Sequence, residues 1–514
     1  MSVTKRIAFA AAASWFSRGV TIVLALVLMP VLFHHLAKEE LGIWLLLSQG
    51  SALLFIFDPG FGPTLSRRIA LAKGKSGSDP NAPLNEETLR EIADLVASGR
   101  RIYQILAATA FLLSTLLGCI YLERLHLATV SLPVVWTAWA VLCLSQAFGL
   151  WAEIWNCLLW GVGFVGWDSV LGSLISTATL LAQIVTLYLG GGLVALATVA
   201  AVGLFAQRFV FQGFARYRRP QLFKIRGHFN SQILRSMISP SLRAWATGIG
   251  SIMVLHTDQF FIASMAGAAQ IPAYRAAYLV FLNLNVLAVT AGWASTVFIS
   301  HLWQAGQIAE IHRVMTRNLR LGLGIMAAGG ACVLVLGPRL FDAWLGHGNF
   351  VGYPILCIFF VLLFLESHSF IITQGSRATE DEAFAFWALG GGISKLILSV
   401  LLGARFGLVG IASSTLIAQL ATSHWYMVYR GLNRLQISFE SHAANVLLPV
   451  TGLFVLVSTA DWLLLAGNLF SSGWSAVLVG SAMAGIILAA FMWFFVLEPD
   501  HRRRFSVWCQ LVRS

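Results

Sequence analysis

The chain has 514 residues, of which 58% are hydrophobic and only 11% charged, against roughly 25% charged in soluble domains. So few charges cannot cover a water-exposed surface, which excludes a soluble protein and, with no long polar block anywhere, a soluble domain on one or two anchors. The excess of 34 Lys and Arg over 22 Asp and Glu, a net charge of +12, is read as the basic cytoplasmic loops of a membrane protein and not as a nucleic-acid surface.

Taken in order, the apolar runs predict an all-α polytopic membrane protein of about 14 transmembrane helices. They lie at 12–33, 43–65, 102–122, 132–152, 168–189, 192–211, 241–265, 274–299, 319–337, 353–373, 384–403, 407–428, 444–465 and 475–497. A helix satisfies every backbone group within lipid. Lys5 and Arg6 before the first run imitate a signal peptide, but the run continues to Phe33 and reads as an uncleaved first span. Near the end of span 2 the stretch FIFDPGFGPTLSRR sets Asp58 beside Pro59 and Gly60, so a kinked or loosened last turn is expected there. After it, Asn85 as N-cap and Leu89, Ile92 and Val96 at helical spacing predict a short amphipathic cytoplasmic helix over 84–100. The segment 214–235 mixes basic and aromatic residues, as at a membrane with anionic headgroups.

Most Lys and Arg fall on one side if both termini are cytoplasmic, with short loops outside. LYLGGGLVALATVA (187–200) resembles ARFGLVGIASSTLI (404–417), each a turn between spans. With LAKEELGIW (36–44) and MAGAAQIPAY (265–274) at corresponding places, these likenesses predict two parallel six-helix repeats related along the membrane normal. The expected division is an N-terminal lobe 1–211, a basic linker 212–240, a C-terminal lobe 241–428, and two additional spans with a basic tail at 429–514.

Ionisable residues within spans cost about 2.5–3.5 kcal/mol each at a helix centre, so they mark cavities or partners. The set is Arg18, Asp58, Asp168, Arg243, Asp258, Arg275, Glu366, Lys395 and Asp461. Glu153 and Arg208 lie at cytoplasmic ends and read as interface anchors. The six cysteines have no C-x-x-C spacing, and neither disulfides nor a metal is expected. Phosphate-loop, nucleophile-elbow and zinc-protease motifs are absent, as is D-x-D, so no cofactor and no enzyme activity are expected. Transport would then use a proton or sodium gradient, or the substrate's own.

The first 75 residues resemble polysaccharide flippases of the Wzx type, in the multidrug/oligosaccharidyl-lipid/polysaccharide exporter superfamily. The likeness rests on Leu36, Gly42 and Trp44, on Asp58 and Gly60, and on Arg67 and Arg68. HTDQFFIASMAGAAQIPAYRAAY (256–278), with Asp258, Tyr274 and Arg275, and ARFGLVGIASSTLIAQL also fit. The resemblance implies a flippase of the bacterial inner membrane. It would move undecaprenyl-diphosphate-linked oligosaccharide to the periplasmic leaflet by alternating access, for lipopolysaccharide, capsule or exopolysaccharide. It further implies Arg18, Lys395, Arg243 and Arg275 as cavity cations for the diphosphate. Asp58, Asp258 and Glu366 would be ion-coupling or cavity acids, with Pro59 and Gly60 as the hinge. Partners would be the lipid-linked substrate, membrane lipids and a polysaccharide polymerase. An antiporter of the same superfamily is the alternative reading. A glycan polymerase or ligase is a more remote one, with His34, His35, His126 and His347 the only outside histidines to serve it.

Overall fold

The computed structural model describes residues 19–20, 22–53, 57–58, 60–76, 83–231, 235, 237–238, 245, 249–250, 252–379, 381, 384–467 and 473–497. Among these, every regular element is a helix. The first is α1 (Ile22–His35). There follow α2 (Lys38–Ala52), α3 (Phe61–Gly74), α4 (Glu86–Leu122), α5 (Leu132–Trp151), α6 (Glu153–Val162), α7 (Val165–Tyr188), α8 (Leu193–Arg218) and α9 (Pro220–Lys224). After these come α10 (Asp258–Met265), α11 (Ile271–Gln304), α12 (Ile308–Leu345), α13 (Tyr353–Arg377), α14 (Ala385–Ala418), α15 (His424–Arg434), α16 (Phe439–His442), α17 (Leu448–Ala466) and α18 (Gly473–Phe491).

Ten runs among the described residues are long and apolar enough to cross a membrane. One of them, Phe386–Arg434, counts once but turns back at Gly407, whose φ of 57° suits glycine. Ser399 therefore meets Ser414, with their hydroxyls 2.7 Å apart. With α1 and the other shorter helices among the described residues, the architecture is in keeping with about fourteen transmembrane helices. The chain is a multi-pass membrane protein.

Two compact units form: Met1–Ile252 with Gln259–Pro272, and Met253–Asp258 with Ala273–Ser514. In the first, a core of Ile69, Ile92, Tyr103, Leu158 and Phe211 packs α3, α4, α6 and α8 together. In the second, Ile311, Leu323, Ile372, Val450 and Val457 pack α12, α13 and α17.

In the first unit, loops predicted on opposite sides collect at opposite ends. Beyond the C-terminal end of α4, Glu39 accepts the backbone N–H groups of Ala128 (2.7 Å) and Thr129 (2.6 Å). Glu40 accepts that of Leu193 (3.1 Å). Near the other end of α4, the His228 N–H donates to Asp94 (2.7 Å) and the Asn230 N–H to Ser98 (3.1 Å). At one end of α12, His312 reaches the Leu435 carbonyl (2.9 Å) and Arg320 those of Asn445 (2.6 Å) and Phe495 (2.7 Å). The alternation expected from the basic residues is thus built into the packing.

Four local expectations change. The amphipathic helix at 84–100 is not separate: α4 is one helix of 37 residues, about 55 Å long at 1.5 Å per residue. It exceeds a ~30 Å hydrocarbon core by several turns. Asn85 caps it, accepting from the Thr88 N–H at 2.9 Å, and neither Arg100 nor Arg101 interrupts it. Span 4, placed at 132–152, does not end there: after a single distorted residue, Ala152, the helix resumes as α6. Span 2 does not run on as one helix: Gly60, with a φ of 76°, starts α3 anew at Phe61. Span 7 is interrupted at His256 and Thr257, before Asp258 opens α10.

Candidate functional site

The break in span 2 is organised by Asp58. Gly60 takes a left-handed conformation (φ 76°) that a side chain would strain, and turns the chain into α3. One carboxylate oxygen of Asp58 accepts the Phe61 N–H at 2.9 Å, satisfying a free donor at the new helix start. The other accepts the hydroxyl of Tyr103, on α4, at 3.2 Å. Tyr103 is fully buried, and its oxygen lies 3.7 Å from the Cys157 sulfur on α6. A Cβ on Gly62 would meet the Tyr103 hydroxyl at 3.2 Å, so glycine there admits the cluster.

One turn before Cys157 on α6, Glu153 forms an ion pair with Arg208 of α8 at 2.5 Å. The arginine side chain is 6% exposed, the glutamate 15%. Asn156 adds a hydrogen bond to Glu153 at 2.9 Å, and the Trp160 indole donates to Asp168 at 2.8 Å. Glu153, Asn156, Asp168 and Arg208 wall a cleft of about 360 Å³ between α6, α7 and α8. Glu153 and Arg208 are therefore not interface anchors. Because the helix runs on past residue 152, Glu153 faces α8 instead of lying in a loop.

In the second unit, Asp258 and Lys395 find each other. The Lys395 ammonium lies 2.6 Å from the carboxylate, and its side chain is wholly buried. It also donates to the Thr257 hydroxyl. Tyr274 donates to the other oxygen of Asp258 at 2.6 Å, and Thr415 approaches at 3.4 Å. The interruption before α10 and the turn-back at Gly407 put these groups in register.

Glu366, on α13, accepts the Gln419 amide at 2.7 Å. Gln419 opens a π-helical turn, Gln419–Ser423, a distortion frequent at functional sites. Arg275 lies over the Tyr278 ring at 5.5 Å. Among the described residues no carboxylate stands within ion-pair distance of Arg275. His368 and His442 share a hydrogen bond at 2.8 Å, with the His424 ring 5.5 Å from that of His368. Asp461 is fully buried on α17, facing Gly480 of α18.

Of the residues singled out from sequence, Asp258 and Lys395 are in contact, Asp58 and Glu366 each sit in a separate network, and Arg18, Arg243 and Pro59 lie outside the described residues. Tyr103, Cys157 and the histidine trio were not singled out. They carry no formal charge and resemble ordinary core side chains, so nothing in the sequence distinguishes them.

No family model matches the sequence, and no curated protein matches it. Solved structures do. The chain is similar to the lipid II flippase MurJ in an inward closed conformation, with a TM-score of 0.68 at 13% identity, over 95% of this chain and 98% of that one. It is similar to an inward-facing multidrug resistance MATE family transporter of the MOP superfamily, with a TM-score of 0.61 at 13% identity, over 83% and 99%. A third is the MATE multidrug transporter DinF-BH in complex with R6G, with a TM-score of 0.56 at 13% identity, over 85% and 98%. At these identities the likeness establishes the fold: a helical membrane architecture shared with MurJ and the MATE transporters.

Proposed function

We propose that the protein is a flippase of the bacterial inner membrane for undecaprenyl-diphosphate-linked oligosaccharides, working by alternating access. The observation that carries this reading is coverage. The likeness to the lipid II flippase spans 95% of the chain, whereas the MATE likenesses leave a larger share unmatched, at 83% and 85%. The N-terminal signature and the mixed signs of the interior charges favour the same substrate class. With both termini cytoplasmic, the basic ends of α4, α8 and α15 face the leaflet where such lipids are made.

Among the interior cations, Lys395 already has a counterion. The diphosphate would therefore be met by Arg275, which has an aromatic neighbour and no carboxylate within ion-pair distance among the described residues, with Arg18 and Arg243 in support. Asp58 and Glu366, bonded to neutral donors, are the acids left to couple the cycle to protons or sodium. The test is a deletion strain that retains its glycosyltransferases. Single repeat units on the lipid should accumulate in the cytoplasmic leaflet. Periplasmic accumulation would point to a polymerase step, and unchanged lipid pools to the antiporter.

A further inference from the structure

The cleft between α6, α7 and α8 has a composition that selects its ligand. Its wall holds Glu153, Asn156, Asp168, Gln207 and Arg208, together with hydroxyls on α7 from Ser169, Ser173 and Ser176. Three buried atoms there have no hydrogen-bond partner among the described residues: Arg208 Nε, Asp168 Oδ1 and Asn156 Oδ1. Such atoms cost about 1–3 kcal/mol each unless something satisfies them. One is a donor and two are acceptors.

Charge excludes the simpler occupants. Two carboxylates against one guanidinium repel a phosphate. A bare cation is opposed by Arg208, and it would occupy little of a 360 Å³ cleft that has room for about a dozen waters at ~30 Å³ each. What remains is a neutral group with several donors and acceptors at fixed spacing. Beside Asp168, Trp160 and Trp167 are 50% and 40% exposed. The Trp160 N–H is held by the carboxylate, whereas the Trp167 ring already carries the Arg218 guanidinium at 5.8 Å.

We propose that this cleft binds a neutral polyhydroxyl group, a sugar unit of the lipid-linked substrate, within the first unit alone. The proposal rests on the flippase reading and assigns the sugar to α6–α8, apart from the cations that would meet the diphosphate. Gln207, Asn156 and the serine row supply neutral hydrogen bonds. Asp168 and Arg208 supply the charge-assisted ones.

The test uses purified full-length protein carrying Ser173→Cys, with maleimide labelling read at that peptide by mass spectrometry so that native cysteines do not interfere. Glucose, galactose, N-acetylglucosamine and rhamnose are the probes. Sodium phosphate, sodium chloride and phosphoethanolamine are the comparisons. At least one sugar should slow labelling several-fold while phosphate and chloride do not, and Asp168→Val should abolish the protection. Protection by phosphoethanolamine alone would make this a phospholipid headgroup site, and protection by phosphate, by salt or by nothing would equally overturn the proposal. Should Ser173→Cys fail to fold, Ser176→Cys reads the same cleft. Cytoplasmic accumulation of lipid-linked units without sugar protection removes this site and leaves the flippase standing. Sugar protection with unchanged lipid pools removes the flippase and leaves the site.

Discussion

Separating Asp258 from Lys395 tests whether the interior charges are neutralised in pairs. At 2.6 Å, and at an effective dielectric of about 20, the attraction is about 6 kcal/mol, offset in large part by the cost of burying both ions. Removing one partner of such a pair costs about 3–5 kcal/mol, whereas replacing both by neutral groups of similar volume is near neutral. The structure adds an order to the single variants. Without Lys395, Asp258 keeps Tyr274 and Thr415 as donors and is 14% exposed. Without the carboxylate, the ammonium keeps the Thr257 hydroxyl and has no exposure at all. Asp258→Asn should therefore be less stable than Lys395→Met, and the double variant more stable than either. The assay is loss of monodisperse protein in detergent after a temperature series, read by size-exclusion chromatography. Single variants as stable as wild type, or a double variant carrying the sum of both losses, would refute the pairing.

Three further outcomes follow from local geometry. Gly42→Ala should destabilise by about 1–3 kcal/mol, because a Cβ there would lie 1.8 Å from the Ala268 carbonyl oxygen, which belongs to the backbone; a midpoint equal to wild type in the same heating series would contradict it. Tyr103→Phe should cost about 1–3 kcal/mol by removing a buried donor from Asp58, measured as a shift in the same midpoint, with Cys157→Ser as a control that retains the donor. Glu39 lies outside the membrane spans. Its partial burial would raise its pKa, but hydrogen bonds from Thr129, Ala128 and Val130 outweigh that and hold it below the ordinary 4.5. A depressed carboxyl stabilises above its unfolded value and loses that contribution as pH falls through the folded one. Glu39→Gln should thus be less stable than wild type at neutral pH, and the gap should close as pH drops below 4.5; a gap constant with pH would remove the linkage.

Long apolar runs made the span count legible, since lipid demands about 20 apolar residues per crossing. Basic residues made the alternation legible for a similar reason. The interruptions were only half legible. Asp58, Pro59 and Gly60 announced a disturbance in span 2, but a kink and a full break have the same residues. What decides between them is tertiary: Asp58 can bond both Phe61 and Tyr103 only if the chain leaves the helix. Span 7 gave no warning, because Thr257 and Asp258 are ordinary helix residues until Lys395, 137 positions beyond Asp258, is brought beside them. The signature residues were legible as a pattern and acquire causes in the fold. Leu36 and Trp44 are buried, and Gly42 has no room for a side chain against Ala268. Glu153 and Arg208 were misread because their roles depend on where a helix ends, and boundaries carry the weakest local signal.

The two ion pairs also bear on how such a molecule can move. Glu153–Arg208 lies wholly within the first unit, and Asp258–Lys395 wholly within the second. Each of these two pairs is therefore neutralised within its own unit. For the alternating access proposed above, a rigid-body displacement of either unit would break neither pair, so the several kcal/mol bound up in each would stay out of the transport barrier. By contrast, Asp58, Glu366 and Arg275 have partners that are neutral. Exchange of a proton, a cation or a substrate anion at these positions changes the local charge without first dissociating a buried pair. Under the proposed function, coupling would fall to Asp58 and Glu366, which have no counterion among the described residues, while Lys395 is held by Asp258 within its own unit.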